Sequence, residues 1–412
     1  MLKIAMLSTG EEVLHGDIVD TNAAWLSRLF FEEGFELTKR STVGDSAARL
    51  REELIMLSLN SDIVVVNGGL GPTTDDLTTQ IAAEITEQEL VLSQYWLDTL
   101  TEFFAKRGKE VTKVNLKQAM LPEKATLLDN PIGTACGFKL RINECECYFT
   151  PGVPSEFKRM VKEQIIPDLQ RSFPSHQGMD CHKIFTLGSS ESELAELLDP
   201  LALPEGYMLG YRSYIPFIEI KLFGPRGDSE TAFKVIENIY KRVAKWTVSI
   251  DKTMPEQLES LLADKKLCFA LAEESTSGWL ANYLSNNAYI HSCIGSSWVL
   301  GPAVVQNMAG EDSLAASLAL AGATRSKSQT DLALVTGRLE DGQFSLALSA
   351  PEGEWGQILE CRRQFSIEEM KIIIGTIATD MLLRYLSGKP VIGQYNIAKE
   401  VKKMHLPAKV LK

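Results

Sequence analysis

Short apolar runs alternate with amphipathic segments through the first 170 residues of the chain. Residues 3–7 and 62–67 are apolar runs of strand length, and the second is rich in β-branched residues, as in buried parallel strands. Residues 22–33 and 49–59 carry apolar side chains at helical spacing, and a further helical pattern follows residue 76. Strands that alternate with helices predict right-handed βαβ units. We therefore expect an α/β fold with a doubly wound, mostly parallel sheet.

The pattern changes twice further along and divides the chain into three predicted domains. A first α/β domain over residues 1–170 is followed by a polar linker, and a small α+β domain then occupies residues 178–250. A second α/β domain is predicted over residues 255–388, with a long apolar helix at its end. The residues from 389 onwards are basic and are predicted to be frayed.

Composition and charge narrow the classes of partner. The chain has 412 residues and a net charge of -12, so nothing offsets repulsion from phosphate backbones or anionic lipids. Neither a nucleic acid nor a membrane is therefore expected as a partner. No apolar run approaches the roughly 18 residues of a membrane span. Seven scattered cysteines without an export signal predict a cytoplasmic protein with reduced thiols.

A glycine-rich loop follows the second of these apolar strands. Gly68, Gly69 and Gly71 let the backbone approach a phosphate closely, and the helix after the loop offers free amides and a positive dipole end. The adjacent Asp75 and Asp76 would repel a bare phosphate, but they suit a divalent cation that bridges carboxylate and phosphate oxygens. A glycine turn with acidic capping of the helix is the alternative interpretation.

Two further loops and one aspartate are expected at the same edge of the sheet. Residues 8–22 carry four carboxylates directly after the first strand, which is a costly cluster unless solvent or a metal neutralises it. A plain helix-capping role is the alternative there, for Thr21 in particular. Residues 150–156 form a proline-framed turn that presents Ser155 and Glu156, and Asp45 ends another predicted strand.

The motifs in these loops resemble those of the competence-damage-inducible CinA family, in family order and over nearly the whole chain. The first domain carries them at residues 8–14, 16, 18–22, 42–45, 68–78, 130–135 and 151–156. The middle segment resembles the small KH-type domain of that family at residues 188–192 and 211–212. The Gly-x-x-Gly clamp by which KH domains hold nucleic acid is absent, since residues 188–191 read Gly-Ser-Ser-Glu. We interpret this segment as a spacer or as the contact of a homodimer.

The resemblance implies a molybdopterin-binding-like first domain that hydrolyses the pyrophosphate bond of ADP-ribose, a small nucleotide. Its cofactors would be a divalent metal ion (Mg, Mn or Co) and potassium. It implies catalytic roles for Asp45, Asp75 and Asp76, of which Asp45 and Asp76 would hold the metal. The residues expected around the nucleotide are Gly10, Glu12, Asp20, Asn22, Gly68, Gly69, Gly71, Thr73, Thr134, Ser155 and Glu156.

The last domain departs from the family pattern. Relatives that deamidate nicotinamide mononucleotide carry Ala-Glu-Ser-Cys-Thr-Gly-Gly, whereas this chain has Glu274 for the serine and Ser275 for the cysteine, followed by Thr276. The family tyrosine and lysine of a later stretch become Val299 and Val304, and Thr336 is retained. Amide hydrolysis needs a nucleophile beside a base or a charge partner.

We therefore predict that this domain no longer deamidates. Ser275 would restore activity only if the chain slipped by one residue. Two alternatives stay open for the whole protein: a nucleotide- or pterin-binding module without catalysis, and a bifunctional enzyme that also deamidates.

Overall fold

The computed structural model describes residues 2–301 and 312–410. The chain divides into two compact units, Met1–Asp180 and Cys181–Lys412. Both contain helices packed on sheets with parallel strands, so the predicted α/β class is confirmed. None of the helices in the described ranges has the length and the apolar character needed to cross a membrane.

The first unit is built around a six-stranded sheet. The strands of this unit, six of which form this sheet, are β1 (Ile4–Thr9), β2 (Leu37–Val43), β3 (Ile63–Asn67), β4 (Leu90–Leu92), β5 (Met120–Pro122), β6 (Thr126–Leu128), β7 (Gly137–Ile142) and β8 (Cys145–Thr150). The sheet order is β2-β1-β3-β8-β7-β6, and β4 pairs separately with β5. The first four strands of that order run parallel, whereas β7 pairs antiparallel with β8, and β6 pairs antiparallel with β7 at the edge.

Helices cover both faces of this sheet, which explains the continuous apolar run in β3. Val64 and Val66 pack on one face and Ile63 and Val65 on the other, all fully buried. The helices are α1 (Glu11–Leu14), α2 (Thr21–Glu32), α3 (Ala47–Asn60), α4 (Thr78–Ile85), α5 (Gln94–Ala105), α6 (Lys113–Leu116), α7 (Pro154–Met160) and α8 (Ile166–Ser172). A 3₁₀ turn (Lys117–Ala119) follows α6, and a π-helical turn (Val161–Ile165) joins α7 to α8.

The second unit begins with a small four-stranded sheet in the order β10-β11-β9-β12. Its strands are β9 (Met179–Leu187), β10 (Met208–Tyr214), β11 (Phe217–Pro225) and β12 (Thr247–Ile250), and its helices are α9 (Glu191–Leu198) and α10 (Ser229–Val243). Leu194, Leu198 and Ile239 of the helices share a buried cluster with Ile184 and Ile220 of the strands. The expected α+β pattern is present in this part of the chain.

A second six-stranded sheet follows, in the order β14-β13-β15-β16-β17-β18. Its strands are β13 (Phe269–Glu273), β14 (Ile294–Val299), β15 (Leu332–Glu340), β16 (Gln343–Ala350), β17 (Gly353–Cys361) and β18 (Ala398–Pro407). The helices are α11 (Met254–Lys265), α12 (Trp279–Ser285), α13 (Ala288–Cys293), α14 (Ser313–Ser328) and α15 (Ile367–Leu386). Strands β14, β13 and β15 are parallel, and the remaining neighbours are antiparallel.

The prediction of a frayed segment after residue 389 was wrong. Residues of this segment form β18, which pairs with β17 along its length at the edge of the sheet. The lysines of β18 point to solvent, because an edge strand needs hydrogen bonds on one side only and tolerates charge on its exposed surface. The basic composition indicated disorder, whereas the backbone is satisfied by the neighbouring strand.

Candidate active site

The loops after β1, β2, β3 and β8 converge at the carboxyl ends of these parallel strands. They enclose a cavity of about 430 Å³. The cavity lies beside β1 and β3, where the strand order reverses, which is the usual ligand position in a doubly wound sheet. Ten of the residues expected at the site line it: Gly10, Glu12, Asp45, Gly68, Gly69, Gly71, Asp75, Asp76, Thr134 and Glu156.

Close packing and a positive φ exclude a side chain at Gly69, and a side chain at Gly71 would displace the Asp76 carboxylate. Gly69 has a φ of 68°, and a Cβ there would lie 2.1 Å from the hydroxyl oxygen of Thr78. A Cβ on Gly71 would lie 2.4 Å from a carboxylate oxygen of Asp76. The Thr78 amide donates to the Gly69 carbonyl at 3.1 Å, so the loop closes onto the start of α4. The bare backbone of the loop forms part of the cavity wall.

Asp76 is held by its own loop and by a distant lysine. The backbone amide of Thr73 donates to Asp76 Oδ2 at 2.9 Å, and the Thr73 hydroxyl donates to the same oxygen. Lys117 donates to the carbonyl oxygen of Asp76 at 2.7 Å and also to that of Thr73. Thr73 therefore supports the loop and does not line the cavity, while Asp76 Oδ1 accepts no hydrogen bond from the described residues.

Asp45 is fixed to the opposite loop by reciprocal hydrogen bonds. The Glu11 amide donates to Asp45 Oδ2 at 3.2 Å, and the Asp45 amide donates to Glu11 Oε1 at 3.2 Å. Burial raises the pKa of Asp45, the hydrogen bond from the Glu11 amide opposes that rise, and the charges of Glu12, Asp75 and Glu11 add to it. The site therefore concentrates negative charge from two loops.

The described lining contains five carboxylates and no lysine, arginine or histidine. The five are Glu12, Asp45, Asp75, Asp76 and Glu156. This donor set is hard oxygen, as Mg²⁺ and Mn²⁺ prefer, and it lacks its own counter-charge. Within residues 2–301 and 312–410, however, no three side chains of His, Cys, Asp or Glu form a ready-made metal cage. The residues fit a cation held by one or two carboxylates together with phosphate oxygens.

Gln118, which the sequence did not single out, lines the cavity, and Trp96 and Asn130 support the lining from behind. Gln118 is buried and donates to the Thr134 hydroxyl at 3.1 Å, and Trp96 donates to the Thr134 carbonyl at 3.1 Å. Asn130 donates to Glu156 at 2.7 Å and so fixes that carboxylate. Lys117 and Gln118 lie in a short 3₁₀ turn far along the chain from the glycine loop, and no local pattern marks them.

Besides Thr73, three residues expected at the nucleotide lie outside the cavity lining: Asp20, Asn22 and Ser155. Asp20 caps α2, accepting from the Ala23 amide at 2.8 Å and from the Ser8 hydroxyl at 2.6 Å. The capping role considered for Thr21 thus belongs to the preceding residue, and Thr21 is the first residue of the helix. Asn22 is buried, and Ser155 is exposed in the first turn of α7.

Asn22 connects the end of β3 with the loop after β8 through hydrogen bonds. Its amide donates to Asn67 Oδ1 at 2.9 Å and to the Gly152 carbonyl at 2.8 Å. Asn67 in turn donates to the Pro151 carbonyl at 2.7 Å, so that the loop after β8 is held against the end of β3. Pro151 and Gly152 line the cavity, and the two asparagines therefore shape it from behind.

In the second unit, the end of β13 contains a satisfied carboxylate. Glu273 is fully buried and accepts hydrogen bonds from the amides of Gly278, Leu280 and Ala281 at 2.8–3.0 Å. It also accepts from the Thr276 hydroxyl at 2.6 Å, and Thr276 meets the Thr336 hydroxyl at 2.6 Å. These contacts fix the start of α12, so Glu273, Thr276 and Thr336 have structural roles.

Glu274 and Ser275, which follow Glu273 in the chain, each have a polar atom without a hydrogen-bond partner among the described residues. These atoms, Glu274 Oε2 and the Ser275 hydroxyl oxygen, are buried. Burial raises the pKa of Glu274, and the positive charge of Arg338 partly offsets this. Val299 at the end of β14 is 59% exposed, and Val304 lies outside the described residues. Neither Glu274 nor Ser275 is paired with a described basic side chain.

Comparisons with known proteins relate the chain to one family. Residues 5–171 match the family of probable molybdopterin binding domains. A "CinA-like protein" of Escherichia coli O17:K52:H18 is 39% identical over 98% of this chain and 99% of its own. The "NMN amidohydrolase-like protein YfaY" of Escherichia coli K12 is 39% identical over 98% of this chain and 100% of its own.

Among solved structures, the protein CinA "with unknown function" from Thermoplasma acidophilum is 28% identical, with a TM-score of 0.37. The match covers 41% of this chain and 96% of the Thermoplasma chain. The matches to the two Escherichia coli relatives cover almost the whole of both chains. A sequence identity of 39% over this length shows membership of the same family. This chain belongs to the CinA-like protein family.

Proposed function

We propose that the protein hydrolyses the pyrophosphate bond of ADP-ribose or a related nucleotide in the cavity of the first unit, in the presence of a divalent cation. The observation that carries this proposal is the lining of the cavity. Asp45, Asp75 and Asp76 line it together with the backbone of Gly69 and Gly71. Glycine backbone accommodates a diphosphate closely, and carboxylates accommodate it only when a cation lies between them.

The cation, Mg, Mn or Co, would be held by Asp45 and Asp76. When bound, it supplies charge neutralisation for the diphosphate and lowers the pKa of a coordinated water. The protein holds Asp45 in place through the Glu11 amide and Asp76 through Thr73 and Lys117. Asp75 is exposed and lines the same cavity, where it would accept a proton from an attacking water. Potassium stays a prediction from the family resemblance.

The decisive assay follows AMP release from ADP-ribose by the full chain with and without Mg²⁺, Mn²⁺ or Co²⁺, in potassium and in sodium buffers. We expect metal-dependent release that Asp76→Asn reduces by about a hundredfold or more, as for loss of a charge that contacts the transition state. Asp98→Asn, at an exposed helical aspartate outside the cavity, is the matched control. Full turnover by Asp76→Asn would defeat the assignment.

A nucleotide-binding module without catalysis is the second candidate. It is favoured by the lack of a preformed metal cage among the described residues. Titration calorimetry distinguishes the two, because a pure binding module would take up ADP-ribose in the presence of metal and return it unchanged. A pterin would be tested in the same way.

For the second unit, we propose that deamidation of nicotinamide mononucleotide has been lost. Glu274 brings a carboxylate that burial keeps from ionising readily, where the family has a serine, and the exposed Val299 offers neither a proton acceptor nor a charge. Ammonia release from nicotinamide mononucleotide, measured with the full chain, tests this. Sustained release would instead support a bifunctional enzyme, in line with the name of the Escherichia coli K12 relative.

A homodimer is also proposed, with the small sheet of the second unit as the candidate contact. Light scattering coupled to size-exclusion chromatography gives the mass directly. A mass near 45.6 kDa, that of one chain, would contradict it.

A further inference from the structure

A second cavity, of about 460 Å³, lies within the unit Cys181–Lys412. It is bounded by the β10–β11 hairpin, by the segment after β17 and by residues 396–397. This volume falls in the range of small-molecule sites, which begins at about 300 Å³. The residues on which recognition would depend are Tyr214, Phe217, Arg362, Arg363 and Phe365.

The floor of this cavity is aromatic. The rings of Tyr214 and Phe217 lie 5.6 Å apart at an angle of 42°. Phe217 belongs to the buried core of the unit, and Phe365 packs against the same core. Tyr214 stays 37% exposed, and the Arg212 guanidinium lies 5.0 Å from the centre of its ring, so a planar ligand would share this ring with Arg212 or displace it. Fixed aromatic faces of this kind favour a planar ring as a partner.

The mouth of the cavity carries two adjacent arginines, and they are its only charged lining residues in the described part of the chain. The Arg363 guanidinium lies 4.6 Å from the centre of the Phe365 ring. Neither arginine forms an ion pair with a described residue. Elsewhere in the unit arginines are engaged: Arg384 pairs with Asp380 at 2.6 Å, and Arg325 donates to the Ala350 carbonyl at 2.7 Å.

Nearby carboxylates are occupied by other donors. The hydrogen bond that the Ser366 amide donates to Glu369 is the main cause that lowers the pKa of this carboxyl group. The charge of Arg363 is a minor cause. Glu191 accepts from the Ser213 hydroxyl, and Glu193 accepts from Asn396 at 3.1 Å. In a chain of net charge -12, two guanidiniums that form no ion pair with a described residue, beside aromatic side chains, make a local anion site.

We propose that this cavity binds a nucleoside monophosphate, with the base on Tyr214, Phe217 and Phe365 and the phosphate between Arg362 and Arg363. A phosphate dianion matches two neighbouring guanidiniums in charge and offers them paired hydrogen bonds. Both ring and charge should contribute to binding, because three aromatic side chains and two arginines line the same cavity. The site is separate from the cavity of the first unit and does not depend on the function proposed there.

Hydrogen–deuterium exchange of the full-length protein, read by mass spectrometry, tests this with AMP as the probe. We expect AMP to slow exchange in two segments, residues 210–218 and 361–366. Because the readout is local, binding in the first unit appears on other peptides. Adenosine lacks the charge and ribose 5-phosphate lacks the base, so each should protect these segments much less than AMP.

The variant Arg362→Gln/Arg363→Gln should raise the AMP concentration for half protection about tenfold or more, because two charge-assisted contacts are lost. Arg242→Gln, at an exposed arginine on α10, should leave it unchanged. Three results would overturn the proposal: no protection of these segments by millimolar AMP, equal protection by adenosine or ribose 5-phosphate, or undiminished protection of the double variant. The comparison of the three ligands uses the wild-type chain and is independent of how the variant folds.

Discussion

Lys117 Nζ lies 2.7 Å from the backbone carbonyl oxygen of Asp76, 41 positions earlier in the chain. The same ammonium group contacts the carbonyl of Thr73, so one lysine holds both ends of the acidic turn. The turn also closes on itself through the bond from Thr73 to Asp76. An otherwise exposed loop is thus held from a distant segment in the geometry that presents Asp76 to the cavity.

Lys117→Met is expected to reduce ADP-ribose turnover about tenfold, because loss of the two hydrogen bonds lets the acidic turn move and costs about 1–2 kcal/mol of positioning. Steady-state kinetics with saturating metal measures this, and Lys117→Arg should recover part of the activity. Lys124→Met, at an exposed lysine of the same unit, serves as the control. Unchanged kinetics in Lys117→Met would mean that the turn needs no external support.

Asp45→Asn should separate stability from metal binding. The folded state favours the protonated form of Asp45, so the wild type loses stability as the pH rises through its raised pKa. The asparagine variant lacks that loss and should unfold at a higher temperature than the wild type at pH 7–8 without metal. It should also bind Mn²⁺ with ADP-ribose more weakly at every pH. Scanning calorimetry and titration calorimetry supply the two measurements, and a variant that unfolds earlier would contradict the charge argument.

Asn67→Ala should destabilise the first unit by about 2–3 kcal/mol, since it leaves buried partners on Asn22 and Pro151 unsatisfied. The loop after β8 should loosen as well, which raises the KM for ADP-ribose. Chemical denaturation gives the first value and kinetics the second. Asn60→Ala, at the exposed end of α3, should do neither.

Glu273→Ala should be among the most damaging single changes in the second unit. Three amides and one hydroxyl lose their acceptor in a fully buried position, so a loss of about 3 kcal/mol or more is expected. Thermal unfolding of the full chain measures it. A loss below that of Glu274→Ala would show that the start of α12 does not rely on this carboxylate.

Glu274→Gln should raise stability, and the gain should grow with pH. Burial raises the pKa of Glu274, so the native state holds the proton more tightly than the unfolded chain does. The wild type therefore loses stability as the pH rises above the ordinary glutamate value, and the glutamine variant does not. Between pH 4.5 and 8, the unfolding temperature of the glutamine variant should exceed that of the wild type by a margin that grows with pH. Parallel curves would refute this account.

The sequence allowed the core of the first unit to be predicted because its signals are local. The β-branched residues of β3, the glycines after it and the following helix are contiguous, and together they fix strand, turn and helix. Aspartates at several strand ends could likewise be expected at one edge, because parallel strands end together. Asp45 and Asp76 do line the same cavity.

Contacts between distant segments could not be predicted in this way. Lys117 and Gln118 act on residues far away in the sequence, and neither belongs to a recognisable motif. Asn22 and Asp20 carry polar side chains suited to a ligand, yet their partners are Asn67 and Ser8. Whether a polar side chain binds a ligand or supports the fold depends on how the strands pack, which the local sequence does not show.

The pairing of β18 with β17 has a consequence for how the second unit is made. The strand follows α15 in sequence but completes a sheet whose other five strands come earlier in the chain. Until Ala398 and its successors have left the ribosome, β17 presents an unsatisfied backbone edge to other nascent chains. A premature stop before this point, or a tag that blocks it, should therefore yield aggregates while the first unit is still intact.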